Sequence, residues 1–249
     1  MTETSVYEQR RYTALLLQHP AVTGLPDLRR YLPSLTEAKK LTFVKGSWSG
    51  HRVVFRANRS HYPRHLVDPD ERRSEAGYAH DLYVGIRSVS GGTPLILIAS
   101  PYTRLLQKVA GDLRQALPVP APRYFAVDMP RVYSTIGAGR SGFVATKVTM
   151  QMLNEPALEL VSLAGRNPLN SNLHAAIENV ASPYSIRTEI AGASGPCRVN
   201  TDRHGNLWWY QTEEGRFVSP LEFVDALLEW DALKPVRTLP LARDQRDDE

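Results

Sequence analysis

The pattern of apolar and polar residues divides the chain into short helices and strands. Residues 81–89 alternate like a half-buried strand, and residues 94–99 form the continuous apolar run of a buried strand. Ser100 and Pro101 then stand as the cap and the first residue of a helix. Apolar positions recur at helical spacing as far as Leu117. This part of the sequence therefore predicts a strand that runs directly into a helix.

The first apolar segment carries helix start and stop signals. Ser5 and Glu8 have the spacing of a capping box, and an apolar stretch at residues 15–17 follows. His19 and Pro20 end the pattern. These signals predict a helix that ends before Pro20.

The second half of the chain reads mainly as strands. Strands are predicted at residues 124–127, 131–136, 143–150 and 158–163. A helix is predicted at residues 172–180, and a final helix begins near Pro220. An antiparallel meander is predicted at residues 184–190, 198–201 and 207–211.

These elements lack the regular strand–helix alternation of a doubly wound sheet. We therefore expect an α+β protein with mostly antiparallel sheets, packed helices and one or two subdomains. The proline-rich segment at residues 117–122 is the best internal boundary. It separates a basic α+β subdomain (1–117) from a second α+β subdomain (118–241), and residues 242–249 form a disordered tail.

Charge is unevenly distributed along the chain. Residues 1–147 hold 21 Lys and Arg against 11 Asp and Glu, whereas residues 148–249 hold 9 against 15. Such asymmetry indicates a basic surface for an anionic partner. Arginine, which makes up 24 of the 30 cationic residues, suits phosphate recognition, although a GC-rich genome produces the same bias.

Phosphate contact is assigned to a set of cationic residues that strands and loops can gather on one face. The set comprises Arg52, Arg56, Arg59, Arg64, Arg72, Arg73, Arg140 and Lys147. The last two lie beyond the predicted boundary, so this basic face would be built from both subdomains.

Gly137, Gly139 and Gly142 match the G-x-G-x-x-G pattern of dinucleotide sites. The β-branched residues that follow favour a strand rather than the helix that such a site requires. We interpret the segment as a glycine-rich connection between two strands that presents Arg140 and backbone N–H groups.

His61 and His65 stand four residues apart, but Pro63 between them opposes the helix that would aim both rings at one metal ion. We expect a solvated loop and no metal or cofactor. General acid–base chemistry by His61 or His65 on a phosphorylated substrate stays open.

Three consecutive aromatic residues, Trp208, Trp209 and Tyr210, fall in a predicted strand, so at least one ring faces away from the other two. They either pack against the core or offer a stacking platform for a base or a protein partner.

The single cysteine, Cys197, excludes an internal disulfide and favours a reducing compartment. No apolar segment reaches the length of a membrane span, which is about 20 residues. We expect a cytoplasmic protein without membrane contact.

The function predicted from these features is that of a non-catalytic accessory protein or complex subunit that contacts nucleic acid. One alternative is an interaction protein whose oppositely charged faces meet different partners or a second copy. Another is a hydrolase or transferase that uses His61 or His65.

Overall fold

The structure, a computed structural model, describes part of the chain. The described residues are 11–24, 26–27, 30–31, 41–43, 52–57, 78–89, 92–101, 103–139, 143–153, 159–192, 195–210 and 220–237.

Strands dominate this part of the chain. The strands are β1 (Arg11–Gln18), β2 (Leu41–Phe43), β3 (Arg52–Ala57), β4 (Tyr78–Arg87), β5 (Leu95–Ser100), β6 (Arg123–Val127), β7 (Val144–Met152), β8 (Leu160–Ala164), β9 (Ala181–Gly192), β10 (Gly195–Asp202), β11 (Leu207–Tyr210) and β12 (Leu233–Val236). The helices are α1 (Thr103–Ala116), α2 (Met129–Gly137), α3 (Asn172–Ile177) and α4 (Leu221–Glu229), with a 3₁₀ helix at Pro168–Asn170.

The chain forms two compact units. The first contains the described residues of 1–15 and 124–249, and the second contains those of 16–123. The predicted bounds of the subdomains and of the tail stay predictions.

Antiparallel pairing organises both units. In the first, the strand order is β1-β11-β10-β9-β7-β8 with every neighbouring pair antiparallel, and β6 pairs with β1 and β12. In the second, β2, β3, β4 and β5 pair in sequence order, again antiparallel. The protein is thus mostly antiparallel sheet with a few helices, which is compatible with the expected α+β class.

Several predicted elements are confirmed. The strand at residues 94–99 and the following helix are β5 and α1, and the meander is β9-β10-β11. The predicted start of the helix is wrong, because Ser100 is the last residue of β5 and α1 begins at Thr103. The predicted helices at residues 172–180 and after Pro220 are α3 and α4.

The predicted N-terminal helix is wrong over its described part, because residues 11–18 form β1. All six residues from Tyr12 to Leu17 are buried, so both faces of the strand are covered. A continuous apolar run of this length does not distinguish a buried strand from a buried helix by its period.

The predicted strand at residues 131–136 is also wrong, because these residues lie in α2. Pro130 stands in the first turn, where its missing N–H costs nothing. Met129, Val132 and Ile136 are buried at the i, i+3 and i+7 positions of one helix face. The β-branched residues that suggested a strand form the apolar stripe of this helix.

His19 fixes the chain at the end of β1 within the second unit. Its ring is fully buried; Nδ1 accepts a hydrogen bond from the Ala21 amide at 3.1 Å. Nε2 therefore carries the proton and donates to the carbonyls of Pro118 (2.9 Å) and Pro120 (2.7 Å). This histidine holds the proline-rich segment against the end of β1.

The turn between β10 and β11 packs tightly against β6. Gly205 has a φ of 78°, and its carbonyl accepts a hydrogen bond from the Val127 amide at 3.0 Å. A Cβ at this position would overlap the Ala126 Cβ and lie 2.8 Å from the Val127 nitrogen. Both the backbone conformation and the space therefore require glycine.

None of the helices in the described residues is long and apolar enough to cross a membrane.

We predict that Gly205→Ala lowers the free energy of unfolding by about 3 kcal/mol, because it combines a strained φ with overpacking. Gly139→Ala is the matched control, since Gly139 has a φ of 69° with no atom within 4 Å of the added Cβ. The control should lower the free energy of unfolding by about 1 kcal/mol. Urea unfolding measures both values, and equal losses would contradict the packing explanation.

Candidate nucleic-acid interface

Strand pairing in the first unit aligns four side chains in one row across the sheet. Trp208 of β11 pairs with Asn200 of β10, Asn200 pairs with Arg187 of β9, and Arg187 pairs with Lys147 of β7. We call these four residues the central row. Adjacent strands are about 4.8 Å apart, so the row extends about 14 Å.

A β-bulge places Lys147 in this row. Ala145 pairs with Thr188, but Lys147 pairs with the next residue of β9, Arg187, so Thr146 has no opposite residue. Without the bulge Lys147 would oppose Ile186, whose side chain points to the other face of the sheet. The bulge therefore turns a lysine towards the face that holds Arg187.

Helices α2 and α4 contact the first unit on the opposite face. The Tyr133 hydroxyl of α2 donates to Met150 Sδ of β7 at 3.4 Å, and Phe223 of α4 packs edge-on against Phe143. On this helix-covered face Ile186 is 1% exposed. The other face, which carries the central row, is called the polar face.

The two cations of the central row lie directly opposite each other. Like charges in this position destabilise a strand pair by several tenths of a kcal/mol or more. The nearest acid along β9 on this face is Glu189, and it is engaged by Arg198, whose Nε lies 3.2 Å from Glu189 Oε2. An anion bound between Lys147 and Arg187 would offset their repulsion.

The amide of Asn200 stands beside this cationic pair. Its Oδ1 accepts a hydrogen bond from Arg187 Nε at 3.0 Å, which orients the guanidinium and fixes the amide, because arginine has no acceptor. Asn200 is 5% exposed, and its Nδ2 has no hydrogen-bond partner among the described residues. A buried donor without a partner costs about 1–3 kcal/mol, so the fold holds the Arg187 guanidinium in place at some cost in stability.

Aromatic rings beneath guanidinium groups complete the arrangement. Arg11 Cζ lies 4.6 Å from the centre of the Trp208 ring. In the same unit, Arg203 Cζ lies 4.8 Å from the centre of the Tyr184 ring, and Arg203 Nη1 donates to the Gln151 side chain. Guanidinium planes and aromatic rings are the groups on which unpaired bases stack.

The consecutive aromatic residues divide between the two faces. Trp209 is fully buried and stacks on Tyr12 at 5.8 Å, so it serves the core. Trp208 and Tyr210 are half-buried on the polar face. Packing thus accounts for Trp209, and the polar face retains two rings for contact.

The structure describes only part of the predicted phosphate-contact set. Lys147 is in the central row, and the backbone of Arg52 and Arg56 lies in β3, where their even spacing puts both positions on one face. Arg59, Arg64, Arg72, Arg73 and Arg140 lie outside the described residues. The assignment of these residues to phosphate contact stays a prediction.

The glycine-rich segment does not connect two strands as predicted. Helix α2 ends at Gly137, and β7 begins at Val144, so the segment follows a helix and precedes a strand. This order is the reverse of the strand–glycine loop–helix arrangement of a dinucleotide site. The prediction was wrong because residues 131–136, which were expected to form the preceding strand, belong to the amphipathic helix α2.

The described residues offer no group of three or more His, Cys, Asp or Glu side chains arranged to hold a metal ion. His61 and His65 lie outside this part of the chain. Burial raises the pKa of the Cys197 thiol to about 12, with a smaller contribution from Glu222. This thiol is therefore protonated at neutral pH and is a poor nucleophile.

Sequence reasoning missed several members of the polar face, among them Arg11, Arg187, Arg198 and Asn200. Side chains alternate along β9, so Arg187 and Glu189 lie on the face of the sheet that Ile186 does not occupy. This alternation could have indicated Arg187 as a surface cation. The sequence does not show which residues of other strands lie beside them.

A second polar group joins α2 to α3. The Tyr133 hydroxyl contacts Nε2 of His174, which is 5% exposed, and Nδ1 of His174 lies 3.8 Å from Glu178 Oε2. Burial raises the pKa of Tyr133 to about 12, and the Glu178 carboxylate adds to this effect. Because the hydroxyl is engaged by a buried ring, we interpret the group as a structural link.

Comparison of the chain with protein-family models, curated proteins and solved structures finds no match.

We predict that Tyr133 makes stability fall at alkaline pH. Its pKa is raised from 10.0 to about 12 in the folded protein. The neutral hydroxyl therefore contributes fully to the free energy of unfolding below about pH 10, and this contribution is lost as the pH rises through about 12. In Tyr133→Phe this part of the decline should be absent. Urea unfolding of both proteins from pH 8 to 12 measures it. Parallel curves over this range would contradict the assignment.

Proposed function

We propose that the chain contacts nucleic acid through its polar face, as a non-catalytic accessory protein or as a subunit of a complex. The observation that carries the proposal is the direct opposition of Lys147 and Arg187 across β7 and β9. Two cations repel each other in this position, and the bulge before Lys147 also interrupts the pairing of β7 with β9. Both features lower the stability of the strand pair. A phosphate group between the two cations converts the repulsion into a favourable contact.

The neighbouring groups favour nucleic acid over an acidic protein partner. The cations share their row with Trp208, and Tyr210 follows two residues later on the same face. Nucleic acid brings phosphates and stacking bases together, whereas an acidic peptide brings carboxylates alone. Asn200 fixes the orientation of the Arg187 guanidinium for such a phosphate contact.

The predicted helix packing, arginine contacts and cellular location also belong to this proposal. Packed helices leave the polar face for a partner, and the remaining arginines of the predicted set add phosphate contacts. The single, buried cysteine supports a place in the cytoplasm. Contact with the membrane plays no part in the proposed function.

We predict that removing both cations, as Lys147→Gln with Arg187→Gln, weakens binding of a single-stranded oligonucleotide about tenfold or more at physiological salt. The slope of log affinity against log salt should become shallower by about 2, because two phosphate contacts are lost. The free energy of unfolding of Lys147→Gln alone should stay level or rise, since the repulsion is relieved. Fluorescence anisotropy and urea unfolding provide these measurements.

Arg114→Gln is the matched control, because Arg114 is an exposed cation in the last turn of α1. It removes one cation that does not belong to the polar face, against two in the double variant, and should change the slope little. The proposal fails if the control and the double variant behave alike, or if the unaltered protein shows no salt-dependent binding. Binding of polyglutamate in place of oligonucleotides would instead favour an acidic protein partner.

A further inference from the structure

Strand β8 is the edge strand of the sheet in the first unit. It pairs with β7 on one side, and no described strand lies on its other side. Its five residues, Leu160–Ala164, include no charged residue and no proline. Edge strands of natural proteins commonly carry such residues, which prevent pairing with another chain. The outer side of β8 is therefore suited to the addition of a further strand.

Hydrogen bonding to β7 fixes which backbone groups of β8 point outwards. The amide of Met152 donates to Glu159 O at 3.0 Å, and the amide of Gly165 donates to Thr146 O at 3.0 Å. Alternate residues of an antiparallel strand bond to the same neighbour, so the odd-numbered residues from 159 to 165 bond to β7. The N–H and C=O groups that point away from β7 are those of Leu160, Ser162 and Ala164.

These outward groups suit pairing with an identical strand. In an antiparallel pair centred on Ser162, this residue lies opposite its own copy and Leu160 lies opposite Ala164 of the second copy. Every outward N–H and C=O group of both strands then gains a partner. The two copies are related by a twofold axis and present the same patch to each other, as in most homodimers.

The charges at the two ends of β8 are complementary in this arrangement. Glu159 precedes the strand and Arg166 follows it by two residues, and both residues are exposed. The register centred on Ser162 places Glu159 opposite Gly165 of the second copy, beside Arg166 of that copy. Opposite charges therefore meet at both ends of the strand pair, whereas a parallel pair would bring like charges together. Charge thus favours the antiparallel arrangement.

The same register covers apolar surface beside β8. A cavity of about 750 Å³ opens here, and its lining includes Leu163, Ala164 and Leu173, of which Leu173 is 56% exposed. Leu160 is 43% exposed, and the register sets it opposite Ala164 of the second copy. An exposed leucine of each copy therefore lies beside the cavity of the other, and pairing removes this apolar surface from water.

We propose that the chain forms a symmetric dimer through antiparallel pairing of β8 with β8 of a second copy. The outward backbone groups, the charges at the strand ends and the exposed leucine all agree with one register. This self-complementarity favours a second copy over an extended peptide of another protein, which would need only the backbone groups. The dimer goes beyond the proposed function and forms without nucleic acid.

Charge reversal tests the register. Glu159→Arg and Arg166→Glu each place like charges at both ends of the strand pair, so each should weaken dimerisation about tenfold or more. An equal mixture of the two variants restores opposite charges at both ends and should form a heterodimer about as tight as the unaltered dimer. Analytical ultracentrifugation of a dilution series measures these association constants. The two positions lie about 20 Å apart along one chain, so the recovery reports contact between copies.

A second pair of variants tests the strand pairing itself. Ser162→Lys places two lysines opposite each other at the twofold axis and should abolish the dimer. Ser134→Lys is the matched control, because it adds the same charge at an exposed serine of α2 and should leave the dimer unchanged. Thermal unfolding checks that both variants remain folded.

The proposal is overturned if the unaltered protein has the mass of one copy at every concentration, or if its mass continues to rise beyond two copies. A dimer that survives in Ser162→Lys, or a mixture of the charge-reversed variants that does not associate, also overturns it. Lys147→Gln with Arg187→Gln should leave the dimer intact. This proposal and the proposed function can therefore fail separately.

Discussion

The register of β7 against β9 is the constraint on which the polar face depends. Side chains alternate along a strand, so a shift of one residue moves each of them to the other face. The bulge at Thr146 makes such a shift between Ala145 and Lys147. It keeps Ala145 in the core and turns Lys147 towards Arg187. The same stretch of β7 anchors the turn after β8, because the carbonyls of Ala145 and Thr146 accept hydrogen bonds from that turn.

Local stability rules are broken repeatedly around this irregularity. Two cations oppose each other, Asn200 holds a buried donor without a described partner, and Asn167 has a left-handed backbone and a buried acceptor. Buried side-chain oxygens without a described partner also occur elsewhere in this unit, at Thr188 and Thr201.

Elements with distinct boundary signals were predictable from the sequence. Ser100 and Pro101 marked the change from β5 towards α1, and Pro220 preceded α4. Prediction failed where the period was ambiguous. The apolar run of β1 is buried on both faces and has no alternation, and α2 contains β-branched residues that also suit a strand. In both segments tertiary burial decided between two locally acceptable structures.

The candidate site was less accessible to prediction than the fold. The alternation in β9 and the split of Trp208 from Trp209 follow from strand geometry alone. Strand geometry does not predict which residues lie beside Arg187, because hydrogen bonds between strands distant in sequence set the register.

The sequence by itself determined the predominance of strands, the meander of β9 to β11 and the requirement that consecutive aromatic residues face opposite ways. These properties arise from backbone geometry and side-chain period, which act over a few residues. The tertiary structure alone decided that Lys147 and Arg187 meet in a row with Trp208 and Asn200. Such juxtapositions depend on pairing and bulges between distant segments, and those are fixed only when the whole sheet forms.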